Sequence, residues 1–134
     1  MIVDSSALLA ILFLEPEEPV FIEAVMRAVD PKMSAASYVE VAFKVDGAQT
    51  AGTDPLLDQA IAQLGIRLVP FSVEQALVAR AAFNIYGRGR HPAKLNFGDC
   101  MTYALAKTSG EPLLFKGIDF GKTDLRFVDA RAEG

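Results

Sequence analysis

Short apolar runs of strand length alternate along this chain with segments of helical periodicity, and that alternation restricts the fold more than any other feature. Residues 1–4 open with a very short apolar stretch ending at Asp4, and residues 7–12 follow at once as a helix apolar on nearly all sides. Pro16 and Pro19 interrupt the pattern, and helical spacing resumes from Val20 to Val29. A brief strand over residues 32–35 precedes a helix over 37–45, and residues 47–53 read as a turn. Pro55, tolerated in a first helical turn, opens a helix that Gly65 ends. Residues 66–71 are a strand signal, and Ser72 caps a helix running to about Tyr86. A helix over 100–108, a buried strand over 112–115, an irregular stretch over 117–125 and a last short strand over 126–128 complete the order. Strands separated by helices predict an α/β fold: one short parallel sheet of four to five strands with helices on both faces. In such a sheet, function gathers where loops leave the carboxyl ends of the strands.

Composition narrows what those loops can do. With 134 residues and 51% apolar content, the chain is expected to form a single domain around one core. The longest apolar run, residues 7–14, is well short of the ~20 residues a membrane span requires, and nothing resembles a secretion signal, so the expected compartment is the cytoplasm. Cys100 and His91 are each the only residue of their type. That excludes an internal disulfide and a thiolate-rich metal site, and it leaves imidazole-based zinc chemistry without ligands. A formal charge of −4 argues against a broad basic face. Cations concentrate only in Arg88, Arg90, His91 and Lys94, which reads either as a solvated loop or as a local contact for a phosphate backbone.

What remains abundant is carboxylate. Asp4 ends the first strand, Asp99 opens a helix, Asp119 lies just past the strand over 112–115, and Asp124 follows five residues on. Glu40 sits in an otherwise apolar helical run, where an acid is unexpected. Each has a local alternative. Asp4 and Asp99 occupy positions suited to helix N-caps, Ser37 and Glu40 match the capping-box spacing, and Asp119 and Asp124 could be turn acids. As a group they are harder to dismiss. Four carboxylates within ~5 Å of one another at an effective dielectric of ~20 would repel by roughly 3 kcal/mol per pair, or about 20 kcal/mol in all. Protons or cations must offset that, and hard oxygen ligands without His or Cys select Mg²⁺ or, as a substitute, Mn²⁺. Such ions support phosphodiester hydrolysis and let an acidic protein approach a phosphate backbone.

Three segments carry a more specific signal: MIVDSSAL over residues 1–8, LNFGDC over 95–100, and LLFKGIDF over 113–120 followed by Thr123 and Asp124. In order and spacing these resemble the PIN-domain nucleases, and within them the VapC toxins of type II toxin–antitoxin pairs, over nearly the whole chain. The resemblance implies a PIN-like three-layer sandwich and a Mg²⁺-dependent endoribonuclease acting on structured RNA, either tRNA or rRNA. It assigns Asp4, Glu40, Asp99 and Asp119 to the catalytic acids, with Asp4 and Asp99 as direct metal ligands. Ser6 takes the place of a hydroxyl that supports the first acid, with Thr123 and Asp124 in outer supporting roles. It further implies a homodimer and a cognate VapB-type antitoxin that docks on the early helices and blocks the site. Arg88, Arg90 and Lys94 are then the candidates for RNA contact.

Other residues have plainer readings. Cys100 is expected to be a small buried apolar group, because nothing nearby would activate a thiolate. Phe97, Phe115 and Phe120 are expected in the core, as are Phe21, Met26, Tyr38, Val41 and Phe43, although early helices this apolar leave an excess suited to a partner surface. Two other functions fit some of these features. One is a PIN-like module that binds an antitoxin peptide without chemistry. The other is a phosphoacceptor receiver domain, which would want paired acids after its first strand and a lysine after its last, and neither is present.

Overall fold

The structure is a computed structural model describing residues 1–48 and 54–130. Four short strands, β1 (Ile2–Val3), β2 (Lys32–Ser34), β3 (Arg67–Val69) and β4 (Leu113–Leu114), form one sheet in the order β3-β2-β1-β4, every pair parallel. Six helices connect them: α1 (Ser5–Leu12), α2 (Glu18–Arg27), α3 (Ala35–Gly47), α4 (Pro55–Leu64), α5 (Val73–Tyr86) and α6 (Phe97–Ser109). The fifth strand expected over residues 126–128 is reduced to one bridge between Phe127 and Leu113, so the sheet has four strands. Of the turn expected over 47–53, Gly47 closes α3, and residues 49–53 lie outside the described residues.

Alternation along the strands builds the three layers. Successive side chains point to opposite faces of a sheet. Val3, Met33 and Leu114 accordingly pack with α1, α2, α3 and α4, whereas Ile2 and Leu113 pack with α5 and α6. Local chemistry fixes the helix ends. Asp54 accepts from the Leu56 N–H ahead of Pro55, and Gly65 ends α4 at φ +68°, a conformation that a Cβ would penalise. Ser72 accepts from the Gln75 N–H to open α5.

The order of the strands positions the site. From β1 the chain steps outward to β2 and β3, then returns to lay β4 on the other side of β1. This reversal makes the carboxyl ends of β1 and β4 the topological switch point, where crossovers depart in opposite directions and leave a crevice. Asp4 follows β1 immediately, and its N–H donates to the Leu114 carbonyl of β4 (3.0 Å).

Candidate metal centre

Asp4 caps α1. One carboxylate oxygen, Oδ2, accepts from the Ser6 N–H (3.0 Å) and from the Ser6 hydroxyl (2.6 Å), while Oδ1 accepts from the Thr102 hydroxyl (2.6 Å). Ser6 Oγ in turn accepts from the Lys116 N–H (3.0 Å), tying this corner to the loop after β4. The capping expected of Asp4 is therefore real, but a cap needs one hydrogen bond and no burial. Asp4 is 2% exposed, and burial raises its pKa against the lowering effect of Ser6 and Thr102, with the charge of Glu40 adding to the rise.

The other acids reach the same place from different elements. Asp99 does not cap α6, contrary to the reading of it as an N-cap. Asn96 is the cap, accepting from the Asp99 N–H (2.9 Å), and Asp99 stands at the third helical position, where its carboxylate accepts from the Asn96 N–H (3.0 Å). An acid in that first turn should be stabilised by the helix dipole. Instead its pKa is pushed up to about 6, first by burial and then by the charges of Asp4, Glu40 and Asp119. Asp99 thus feels all three of the other acids.

Glu40, unlike Asp99, is not part of a capping box. The cap of α3 is Ser34, three residues earlier than Ser37, so Ser37 lies inside the helix and both side chains are free for other partners. Glu40 Oε1 accepts from the Ser5 hydroxyl (2.5 Å). Its carboxylate lies so close to Gly98 that a Cβ there would overlap it. Asp119, exposed, begins the single 3-10 turn Phe120–Lys122 and forms the outer edge of the group.

The remaining site residues separate. Thr123 donates to the Phe120 carbonyl and closes the 3-10 turn (2.7 Å). Asp124 is engaged elsewhere, accepting from the Tyr103 hydroxyl (2.6 Å) and from Lys107 (2.7 Å). Tyr103 and Lys107 lie one and two turns along α6 from Asp99, so the bonds that hold Asp124 run to α6 and to none of the other acids. Arg88, Arg90 and Lys94 are exposed on a compact loop held by bonds between Arg88 N–H and the Leu95 carbonyl and between Leu95 N–H and the Tyr86 carbonyl (3.0 Å each). The Arg90 guanidinium lies 5.5 Å from the Phe83 ring centre.

Three features escaped the sequence reading. Gly98 carries the close approach of α6 to Glu40, and its only sequence signal is a glycine in a first helical turn. Ser37 and Thr102, each 1% exposed, form a buried hydroxyl pair (3.0 Å) beneath the acids. Phe97, expected in the core, is 81% exposed at the first position of α6. Phe43 and Met26 are exposed too, while Phe21, Val41 and Phe120 are buried as expected.

The donor set consists of carboxylate and hydroxyl oxygens. Cys100, next to Asp99, is buried and its thiol is pushed up to about 11 by burial and by Asp99, so it stays protonated. His91 Nδ1 accepts from the Ala93 N–H within its own loop. Among the described residues no group of three or more His, Cys, Asp or Glu side chains stands close enough together to hold a metal ion as the side chains lie. Asp4, buried with an open acceptor position on Oδ1, and Asp99, whose pKa is raised by burial and by the charges of Asp4, Glu40 and Asp119, are donors of the kind a hard divalent cation takes.

Comparison with known proteins agrees with this geometry. The PIN domain family matches residues 1–125. A VapC ribonuclease of Mycobacterium bovis is 44% identical over 128 residues, covering 96% of this chain and 98% of the relative. Ribonuclease VapC of Mycolicibacterium smegmatis is 45% identical over 130 residues, covering 96% and 99%. Among solved structures, Mycobacterium tuberculosis VapC20, described as a Sarcin-Ricin loop cleaving toxin, superposes with TM-score 0.72 at 13% identity over 95% of this chain and 97% of that one. A toxin-antitoxin complex from Klebsiella pneumoniae gives TM-score 0.69 at 17% identity over 92% of each chain. The chain belongs to the PIN-domain family, in its branch of VapC ribonuclease toxins.

Proposed function

We propose that this protein is a Mg²⁺-dependent endoribonuclease, the toxin of a VapBC-type pair, with Mn²⁺ able to replace Mg²⁺. The observation that carries this reading is the half-buried Asp99 carboxyl, pushed up to about 6 first by burial and then by the charges of Asp4, Glu40 and Asp119, which come from other parts of the chain. Asp4 and Asp99 are the direct ligands. Glu40, fixed by Ser5, and the exposed Asp119 complete the site and orient or deprotonate the attacking water. A bound divalent ion would supply Lewis acidity toward a phosphate oxygen and a more acidic water. Ser6 holds Asp4 in place, and Thr123 shapes the turn that presents Asp119.

The substrate class follows from the surroundings. Arg88, Arg90 and Lys94 are exposed, and no ion pair among the described residues engages them, so they are available to phosphates on an otherwise acidic molecule. Structured RNA, tRNA or rRNA, is the proposed target, a reading supported by what the VapC20 relative is described as cleaving. No helix among the described residues is long and apolar enough to cross a membrane; action in the cytoplasm, where such RNA resides, is part of the proposal. Two apolar surfaces suit the proposed partners. Phe13 and Leu14, just after α1, and Val39 and Phe43 on α3 are exposed, which suits an antitoxin segment. A trough of about 610 Å³ lined by Phe71, Ala79, Phe83, Phe97 and Met101, with Val73 and Leu77 exposed on α5, suits a second copy in a homodimer.

The test is incubation of purified, antitoxin-free protein with total cellular RNA, with and without Mg²⁺ or Mn²⁺, followed by sequencing of RNA ends. Discrete fragments that disappear with chelator and with Asp4→Asn are expected. Their absence across all RNAs would favour a module that binds an antitoxin peptide and performs no chemistry.

A further inference from the structure

Beneath the acids lies a second layer, made of hydroxyls. Ser37 lies three residues, one helical turn, before Glu40 on α3, and Thr102 lies one turn after Asp99 on α6. The two helices that present Glu40 and Asp99 therefore also present this pair, which meets at 3.0 Å. Thr102 is β-branched in a helix interior, where its hydroxyl would ordinarily turn back to a carbonyl of the preceding turn. Here it reaches across to Asp4 at 2.6 Å, in contrast to Thr108 on the same helix, which does turn back, to Ala104 (2.8 Å).

Proton accounting fixes the direction of the chain. Ionised Asp4 only accepts, so the Thr102 hydroxyl must donate to it. Its proton spent, Thr102 Oγ1 can only accept from Ser37, which is then the donor of that pair. On the carboxylate, Oδ2 already takes two bonds from Ser6, which uses its two lone pairs. Oδ1 takes one bond from Thr102 and keeps one lone pair open. Asp4 is thus limited to a single point of ligation, and Thr102 determines which point that is.

We infer that Thr102, backed by Ser37, is a positioning residue that orients the Asp4 carboxylate for divalent-cation binding through one lone pair of Oδ1. The inference rests on the metal-dependent reading above and adds to it a residue that does not touch the ion. Partners of this kind typically set metal affinity by 10–100-fold.

The experiment is calorimetric titration of Mn²⁺ alone, without RNA, into the full chain and its variants, with thermal unfolding in chelator as a fold control. Thr102→Val keeps the shape and removes the hydroxyl, and it should weaken Mn²⁺ binding about tenfold. Thr102→Ser, which restores the donor, should return the affinity to within about twofold of wild type. Ser37→Ala, which removes only the backing, should weaken binding less than Thr102→Val does, and it keeps the inference testable if the valine variant fails to fold. Wild-type affinity in both Thr102→Val and Ser37→Ala, whatever their melting temperatures, would show these hydroxyls to be structural only and overturn the inference. Failure of the wild-type chain itself to bind Mn²⁺ would overturn the metal-dependent reading and this one with it, an outcome distinct from the first.

Discussion

Replacing Asp99 by Asn separates the two physical accounts of this residue by the sign of a stability change. As an ordinary acid in a capping box, Asp99 would be stabilising: the helix dipole favours a first-turn carboxylate by about 0.3–1 kcal/mol, and Asn would forfeit that. As a half-buried acid that also feels Asp4, Glu40 and Asp119, it carries its charge at a cost. A carboxyl held at about 6 rather than 3.8 costs about 3 kcal/mol to ionise in the folded state at neutral pH, at 1.36 kcal/mol per pKa unit. Because the carboxylate is only partly buried, solvent screening reduces this to about 1–2 kcal/mol. Asn keeps an oxygen to accept from the Asn96 N–H, so the cap survives. The net expectation in chelator at pH 7.5 is that Asp99→Asn is more stable than wild type by about 1 kcal/mol, roughly 3–5 °C in Tm for a chain of this size. The sign with pH follows from the raised folded pKa. Wild type loses stability as pH rises from 3.8 through about 6, so the variant's advantage should vanish below about pH 4. Saturating Mn²⁺ should reverse the ranking, since a ligand at 100 times its Kd stabilises the chain that binds it by about 2.7 kcal/mol. Circular dichroism melts in chelator and in Mn²⁺ test all of this. An Asp99→Asn variant that melts lower than wild type in chelator and responds equally to Mn²⁺ would refute the reasoning and leave Asp99 as no more than the acid of the Asn96 capping box.

Three further substitutions probe separate parts of the account. Gly98→Ala should leave stability unchanged or raise it by up to about 1 kcal/mol through helix propensity, because the atoms it meets are the far end of the Glu40 side chain; RNA cleavage should nonetheless fall at least tenfold as Glu40 is displaced. Asp124→Asn, which loosens Lys107 and Tyr103 at a site remote from the cluster, should cost no more than about 1 kcal/mol in a denaturant titration and leave the cleavage rate within about twofold. Glu111 has its pKa lowered by Lys32 first and by the Met1 amine second, so its contribution is present above the ordinary carboxylate pKa and is lost as pH falls through the lower folded value. Glu111→Gln should therefore reduce Tm at pH 7, by the equivalent of about 1 kcal/mol or less for a partly exposed pair, with the difference disappearing in acid.

Much of this fold was legible because local rules and global order agree. The residues between Ala7 and Leu12 are apolar all round and belong to a helix buried in the larger core cluster, and Pro55 and Gly65 bracket α4 as their backbone preferences dictate. The reading went astray where tertiary contact overrides a local motif. Ser37 and Glu40 have capping-box spacing, but Ser34 starts the helix, because the chain leaves β2 directly into α3 with no loop between them. Asn96 took the cap that had been the local alternative for Asp99 for a similar reason: both residues suit the role, and only the helix start decides between them. At the site, Asp4, Asp99 and Asp119 stand in the three segments that carry the family resemblance, whereas Glu40 stands out only as an acid in an apolar helical run. The layer beneath could not be named from the chain. Thr102 and Ser37 look like ordinary polar residues in helices, and nothing in a linear sequence states that two such hydroxyls 65 positions apart will meet under a carboxylate. Asp124 shows the converse, an acid near the motif whose partners on α6 draw it away from the site.

The central claim is that Asp4 and Asp99 jointly hold a divalent cation at the switch point between β1 and β4. The most direct measurement is an anomalous difference map from crystals of the protein soaked in Mn²⁺. The account predicts a peak ligated by Asp4 Oδ1 and an Asp99 oxygen, with Asp4 Oδ2 still bonded to Ser6. Well-ordered Asp4 and Asp99 with no ion between them at saturating Mn²⁺, or an ion bound only elsewhere on the molecule, would contradict it.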